Sequence, residues 1–117
     1  MNKLYKSERL RLKKEIEKLF SDNNFFVADE FKVYWRAKLD SANKVLIVVP
    51  KSFIGKAVDR NKIKRSIREA YRRHKSILEN KKNTYNIAFV YIHNKILSTH
   101  AVEQKIKLIL HRLNSEI

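Results

Sequence analysis

The chain has no cysteine, one glycine (Gly55) and one proline (Pro50) among 117 residues. Without cysteine there is no disulfide framework, no thiolate zinc site and no thiol nucleophile, a composition that suits a reducing, cytoplasmic setting. One glycine excludes both the P-loop and the dinucleotide fingerprint, because each needs several glycines to bring backbone N–H groups onto phosphate. No apolar run approaches the roughly 20 residues of a membrane span. The purest run, Val45 to Val49, has only strand length, and Met1 to Lys6 lacks the apolar core of a signal peptide. Repeats, low-complexity tracts and Pro/Gly linkers are missing too, which leaves a single domain over residues 1–117.

Acid is the other scarcity. Lys and Arg number 27 against 12 Asp and Glu, a formal charge of +15. That exceeds what solubility requires and opposes folding by self-repulsion. The 44% of hydrophobic residues still supply a real core. The surplus charge therefore points to a polyanionic partner, of which nucleic acid and the membrane surface are the usual kinds.

Hydrophobic spacing predicts the elements. Leu12, Ile16, Leu19 and Phe20 fall at i, i+4, i+7 and i+8, one face of a short helix that ends in the Ser21-Asp22-Asn23-Asn24 turn. A short extended piece, Phe25 to Ala28, follows. Phe31, Val33 and Trp35 then alternate with Lys32, Tyr34 and Arg36 as in a half-buried strand. Asp40 to Asn43 reads as a turn and Lys44 to Val49 as a buried strand stopped by Pro50. The longest helix is expected from Asp59, its cap, to Asn80, with Ile63, Ile67, Ala70, Tyr71, His74 and Leu78 on its apolar side. Thr84 to Ile92 is apolar on both faces, as a central strand is, and Ser98 or Thr99 caps a last helix striped by Val102, Ile106, Ile109, Leu110 and Leu113. The order is helix, two or three antiparallel strands, helix, strand, helix: an α+β two-layer sandwich around one four-stranded sheet.

Residues 51–75 carry ten basic side chains and two acidic ones, about half the net charge in a fifth of the chain. Asn61, Lys64, Arg65, Arg68 and Arg72 share one helical face beside the apolar stripe. A solvated face is the plain alternative, but such faces usually mix signs at i±4, and here the cations repel one another. The outward face of strand 31–36 is cation, aromatic, cation: Lys32, Tyr34, Arg36. Cations for phosphates beside rings for bases are what a single-strand groove needs, and Phe20 suits the same groove.

Catalytic groups do not assemble in this pattern. His74, His93, His100 and His111 show neither i, i+4 pairing nor metal-ligand spacing, and the acids are dispersed over turns and a cap. No catalytic residue and no metal ligand is expected in the protein.

The stretch Ala57-Val58-Asp59-Arg60-Asn61-Lys62-Ile63-Lys64-Arg65-Ser66-Ile67-Arg68-Glu69-Ala70-Tyr71-Arg72 resembles the RNR signature of the bacterial ribonuclease P protein subunit. Leu12-Lys13-Lys14 and Ile16-x-x-Leu19-Phe20 resemble that family's opening helix, and Val48-Val49-Pro50-Lys51 with Gly55-Lys56-Ala57-Val58 resembles the approach to the signature. The resemblance implies a mixed sheet with a left-handed βαβ crossover, the ribosomal protein S5 domain 2-like fold, against the right-handed norm. It also implies a role: binding a large catalytic RNA that removes the 5′ leader of precursor tRNA with magnesium, while the protein raises substrate affinity and lowers the magnesium requirement. Arg60, Asn61, Lys62, Lys64, Arg65 and Arg68 become RNA contacts, with Arg72 continuing their helix. Lys14, Ile16, Phe20, Lys32, Tyr34 and Arg36 become the leader cleft between the first helix and the sheet. Departures are Lys62 where Arg is usual, which loses a bidentate fork, Ile16 where an aromatic is common, Asn23-Asn24 in place of a glycine, and Ser52-Phe53 in the loop before the signature.

The expectation is thus a cytoplasmic, monomeric RNA-binding subunit of a tRNA-processing endonuclease, with magnesium held through the RNA and no membrane partner. The alternative is a ribosome-associated or RNA-chaperone protein. A metal-dependent nuclease is disfavoured by the missing acid/His constellation, and a duplex-DNA architectural protein by the single-strand-like aromatic face.

Overall fold

The structure, a computed structural model, describes residues 8–38, 42–79 and 81–117. The opening segment, the Asp40-Ser41 half of the expected turn and Asn80 lie outside the described residues. The chain runs α1 (Lys13–Ser21), β1 (Phe25–Ala28), β2 (Phe31–Lys38), β3 (Lys44–Val48), α2 (Ala57–His74), β4 (Thr84–Tyr91) and α3 (Thr99–Glu116), with a 3₁₀ turn at Lys75–Leu78.

The strand that is apolar on both sides takes the centre. β4 pairs antiparallel with β2 and parallel with β3, and β1 completes the order β1-β2-β4-β3. The result is a mixed four-stranded sheet with three helices, the α+β class that the spacing predicts. β1 and β2 form a hairpin whose two-residue turn places Asp29 at φ 51°, a left-handed position that Asp tolerates better than most residues.

Alternation decides what each sheet face meets. Phe31 and Val33 of β2 lie level with Tyr91 and Phe89 of β4, all four fully buried. They pack with Ile63, Ile67 and Tyr71 of α2 and with Val102, Ile106 and Leu110 of α3 to make the main core. Each such side chain taken from water stabilises the fold by about 1.5–3 kcal/mol. The opposite face carries a smaller cluster, Leu10, Leu19 and Ala88, flanked by Ile16, Tyr34 and Leu46. α1 covers only part of that face, and the uncovered part is the floor of the groove described below.

Three expectations change. α2 starts at Ala57 with Lys56 as its N-cap, two residues before Asp59. Asp59 lies in the first turn, where a carboxylate still favours the helix dipole without capping. The helix also ends early, at His74, and tightens into the 3₁₀ turn. The expected buried strand, β3, lies at the sheet edge: of the two or three antiparallel strands two are found, and among the described strands β3 pairs with β4, in parallel. Only Val45 of this strand is fully buried, because its apolar run serves an edge. Residues 8–10 cover that edge, with an Arg9–Val45 bridge and a 2.9 Å bond from the Leu10 N–H to the Val45 carbonyl.

Candidate nucleic-acid interface

α2 buries Ile63, Ile67, Ala70 and Tyr71, which turns Asn61, Lys64, Arg65, Arg68 and Arg72 to the opposite side. Along this face the acids are not evenly spread. Glu69 accepts from both Arg72 Nε (2.9 Å) and Arg72 Nη2, and pairs with Arg73. The hydrogen bond from Arg72, more than its charge alone, holds the Glu69 carboxyl below the ordinary carboxylate range. Glu103 reaches Arg73 and His74, and Glu8 reaches Lys75 at 2.7 Å. From Glu69 onward the end of the helix is thereby charge-compensated.

The stretch from Lys62 to Arg68 is not. Among the described residues, Lys62, Lys64, Arg65 and Arg68 have no carboxylate at ion-pair distance. Burial, then the nearby guanidinium groups of Arg9 and Arg65, depress the Arg68 pKa from its ordinary value. Three like charges are drawn together there, and a phosphate between them would relieve their repulsion. Arg9 joins this cluster from the segment bridging β3. Sequence periodicity missed it, because its neighbourhood is created by the β3 edge and not by helical spacing.

Arg60 and Lys62 lie off the basic stripe. Arg60 turns back to the preceding loop and donates to the Ile54 and Gly55 carbonyls at 3.1 and 2.7 Å. Its guanidinium thus ties residues 54–55 to the first turn of α2. Lys62 sits on the other flank, beside an open pocket of ≈ 310 Å³ shared with Ser66 and residues 96–99.

On the other side of the sheet, α1 is fastened by the fully buried Leu19 and by a 3.4 Å bond from Asn86 Nδ2 to Glu15 Oε2. Phe20, next to Leu19, meets Tyr34 edge-on with ring centroids 4.7 Å apart. Phe25 of β1 lies level with Tyr34, their rings 5.6 Å apart. Lys32 Nζ stands 4.4 Å from the Phe25 ring and 5.0 Å from the Tyr34 ring. The groove therefore has α1 as one wall, rings on its floor and a cation over them. Phe25 and the exposed Val27 extend it beyond the expected set. The signal for both was their alternation with Phe26 and Ala28, legible once β1 is known to pair with β2.

The remaining groove candidates are placed differently. Lys14 is exposed on α1, and Ile16 packs down onto the smaller cluster under the helix. Arg36 shares the Lys32 face but its Nη1 is paired with Asp22 Oδ1 at 2.8 Å. Among the described residues no three His, Asp or Glu side chains converge as a metal-binding set. No described helix is long and apolar enough to cross a membrane.

Comparisons with known proteins agree with this geometry. A sequence model of the family Ribonuclease P matches residues 4–114. The Ribonuclease P protein component of Porphyromonas gingivalis is 31% identical, over 97% of this chain and 88% of its own length. The structure of the RNase P protein from Thermotoga maritima superposes with a TM-score of 0.75 at 28% identity, covering 90% of this chain and 96% of that one. That of the Staphylococcus aureus RNase P protein gives 0.78 at 24% identity, with 92% and 96% covered, and speaks to the fold alone. A basic helix, a mixed sheet with three helices and a family match over nearly the whole length converge: the chain belongs to the ribonuclease P protein component family.

Proposed function

We propose that this ribonuclease P protein component binds the catalytic RNA through α2 and the 5′ leader of precursor tRNA through the groove beside α1, while the RNA cuts the leader. The single observation that carries this reading is the segregation of charge. Acids neutralise the end of α2, whereas Lys62, Lys64, Arg65 and Arg68 lack a carboxylate partner among the described residues. Release of condensed counterions from RNA would drive their association, so binding should weaken steeply with salt. Asn61 and Arg72 continue the same face, and Arg60 acts by holding the loop that precedes it.

Phe20, Phe25, Tyr34 and Lys32 suit an unpaired leader, since base-on-ring stacking is worth about 1–3 kcal/mol for each base and tolerates any sequence. Such contacts raise affinity for precursor over mature tRNA. Hydrolysis is assigned to the RNA, with magnesium bound there. The protein's described donor set does not fit a resident magnesium ion held by side chains alone, because no three His, Asp or Glu side chains among the described residues converge to hold one. A monomer acting in the cytoplasm is the simplest setting for this chemistry.

The test is removal of the 5′ leader by a bacterial ribonuclease P RNA at low magnesium, with the protein, without it, and with protein alone. Stimulation only in the mixture is the expected result. Cleavage by protein alone would overturn the assignment of chemistry to the RNA. Tight RNA binding without stimulation would favour a ribosome-associated or chaperone role.

A further inference from the structure

Lys32 and Arg36 project from the same face of β2, four residues or about 13 Å apart along the strand. The groove nevertheless offers the two cations unequally. Lys32 has no carboxylate partner among the described residues and stands over two rings. Arg36 is turned to Asp22, the residue that ends α1. We propose that Asp22 is a specificity-determining residue: it withholds Arg36 from the leader's phosphates, leaving Lys32 as the available cation of this β2 pair and so capping the groove's affinity for precursor tRNA. This rests on the leader-groove reading above.

The pair is not needed to dock α1. Leu19 is fully buried, the Asp22 N–H donates to the Lys18 carbonyl at 3.1 Å, and the Trp35 N–H donates to the Asn24 carbonyl at 3.1 Å. These bonds hold the helix end and the following turn without any side chain of the pair. Both partners are about one-third exposed (35% and 32%), where an ion pair contributes little to stability. What the pair does change is charge. With Asp22 in place, the charge of Arg36 is neutralised by its partner; without it, the guanidinium stands free, in the geometry that best grips phosphate.

The experiment uses holoenzyme reconstituted with ribonuclease P RNA and measures precursor and mature tRNA affinity across a salt series. Asp22→Asn is expected to tighten precursor tRNA several-fold and to steepen its log–log salt slope by about 0.7, the value for one added phosphate contact to a single strand. Mature tRNA should be unchanged. Arg36→Met alone should leave precursor affinity within about twofold, and the double variant should match Arg36→Met; a merely structural pair would instead give Asp22→Asn and Arg36→Met the same effect on precursor affinity. An unchanged or weakened Asp22→Asn complex would overturn the proposal, and so would a large loss in Arg36→Met, which needs no change at Asp22. Tyr34→Ala separates the two layers. If it fails to lower precursor affinity, the groove reading falls and this proposal with it; if it lowers it while Asp22→Asn has no effect, only the withholding role is lost.

Discussion

Phe20 on the last turn of α1 and Tyr34 at the middle of β2 stand edge to face, ring centroids 4.7 Å apart, although 14 positions separate them in the chain. The contact ties the wall of the groove to its floor. Phe20→Ala and Tyr34→Ala should each weaken precursor tRNA by about ten- to a hundredfold, the range of one lost stacking platform. The double variant should lose less than the sum, because the two rings share one site. Parallel titrations with mature tRNA check it, and equal losses on both substrates would count against a leader groove.

Arg68 and Arg72 are one turn apart on the same face, yet only Arg72 has a local acid. Arg68→Met and Arg65→Met should each weaken binding to the catalytic RNA and flatten its salt slope by roughly 0.9, as expected for one lost duplex phosphate contact. Arg72→Met should change the slope by less, since Glu69 already neutralises it. Filter or anisotropy titrations at four or five salt concentrations separate these cases.

Arg60 holds the Ile54 and Gly55 carbonyls. Arg60→Ala should lower stability by about 1–2 kcal/mol, the scale of charged hydrogen bonds to backbone. Hydrogen exchange at residues 51–56 should speed up before the rest of the chain responds. Arg60→Lys should restore only part, because both bonds come from the terminal nitrogen Nη1, which lies farther out than the shorter lysine side chain reaches.

Leu19 is the fully buried residue of α1. Leu19→Ala should cost about 2–4 kcal/mol if the whole fold feels it, and less if α1 alone detaches. In the second case precursor affinity falls while affinity for the catalytic RNA holds, because α2 packs on the other face of the sheet. Exchange protection along residues 13–21, read beside both affinities, distinguishes them.

The Glu69 carboxyl is held below its ordinary range chiefly by the hydrogen bond from Arg72. A depressed carboxyl contributes stability above its unfolded pKa, and that contribution disappears as pH falls through the folded value. Unfolding midpoints followed downward from neutrality should therefore drop slightly less for Glu69→Gln than for the parent protein on the acid side.

Much of the fold was legible because burial leaves periodic marks. The stripe of Val102, Ile106, Ile109, Leu110 and Leu113 and the two-sided apolar run of Tyr85 to Tyr91 identified α3 and the central strand correctly. The start of α2 was misplaced because Asp59 has the chemistry of a cap, while Lys56, which takes that place, has none. β3 was expected as a buried strand and lies at an edge, and the spacing left its direction open between two and three antiparallel strands: an apolar run does not say which neighbour supplies burial or in which direction. The basic helix face was visible in spacing alone. The partnering of its cations was less so, since Glu8 and Glu103 reach α2 from distant positions.

The sequence by itself determined the surplus of +15, the positions on each helix and strand that face inward, and the cation–aromatic–cation alternation on β2. These follow from composition and from the 3.6- and 2-residue periods, which are local properties of the backbone. Only the tertiary structure decided which charges stay available. Arg36 is occupied by an acid 14 positions away, Arg60 by loop carbonyls, and Arg9 is brought near Arg68 around the edge of β3. Electrostatic interactions depend on distance in space, and periodicity does not encode that distance between elements far apart in the chain.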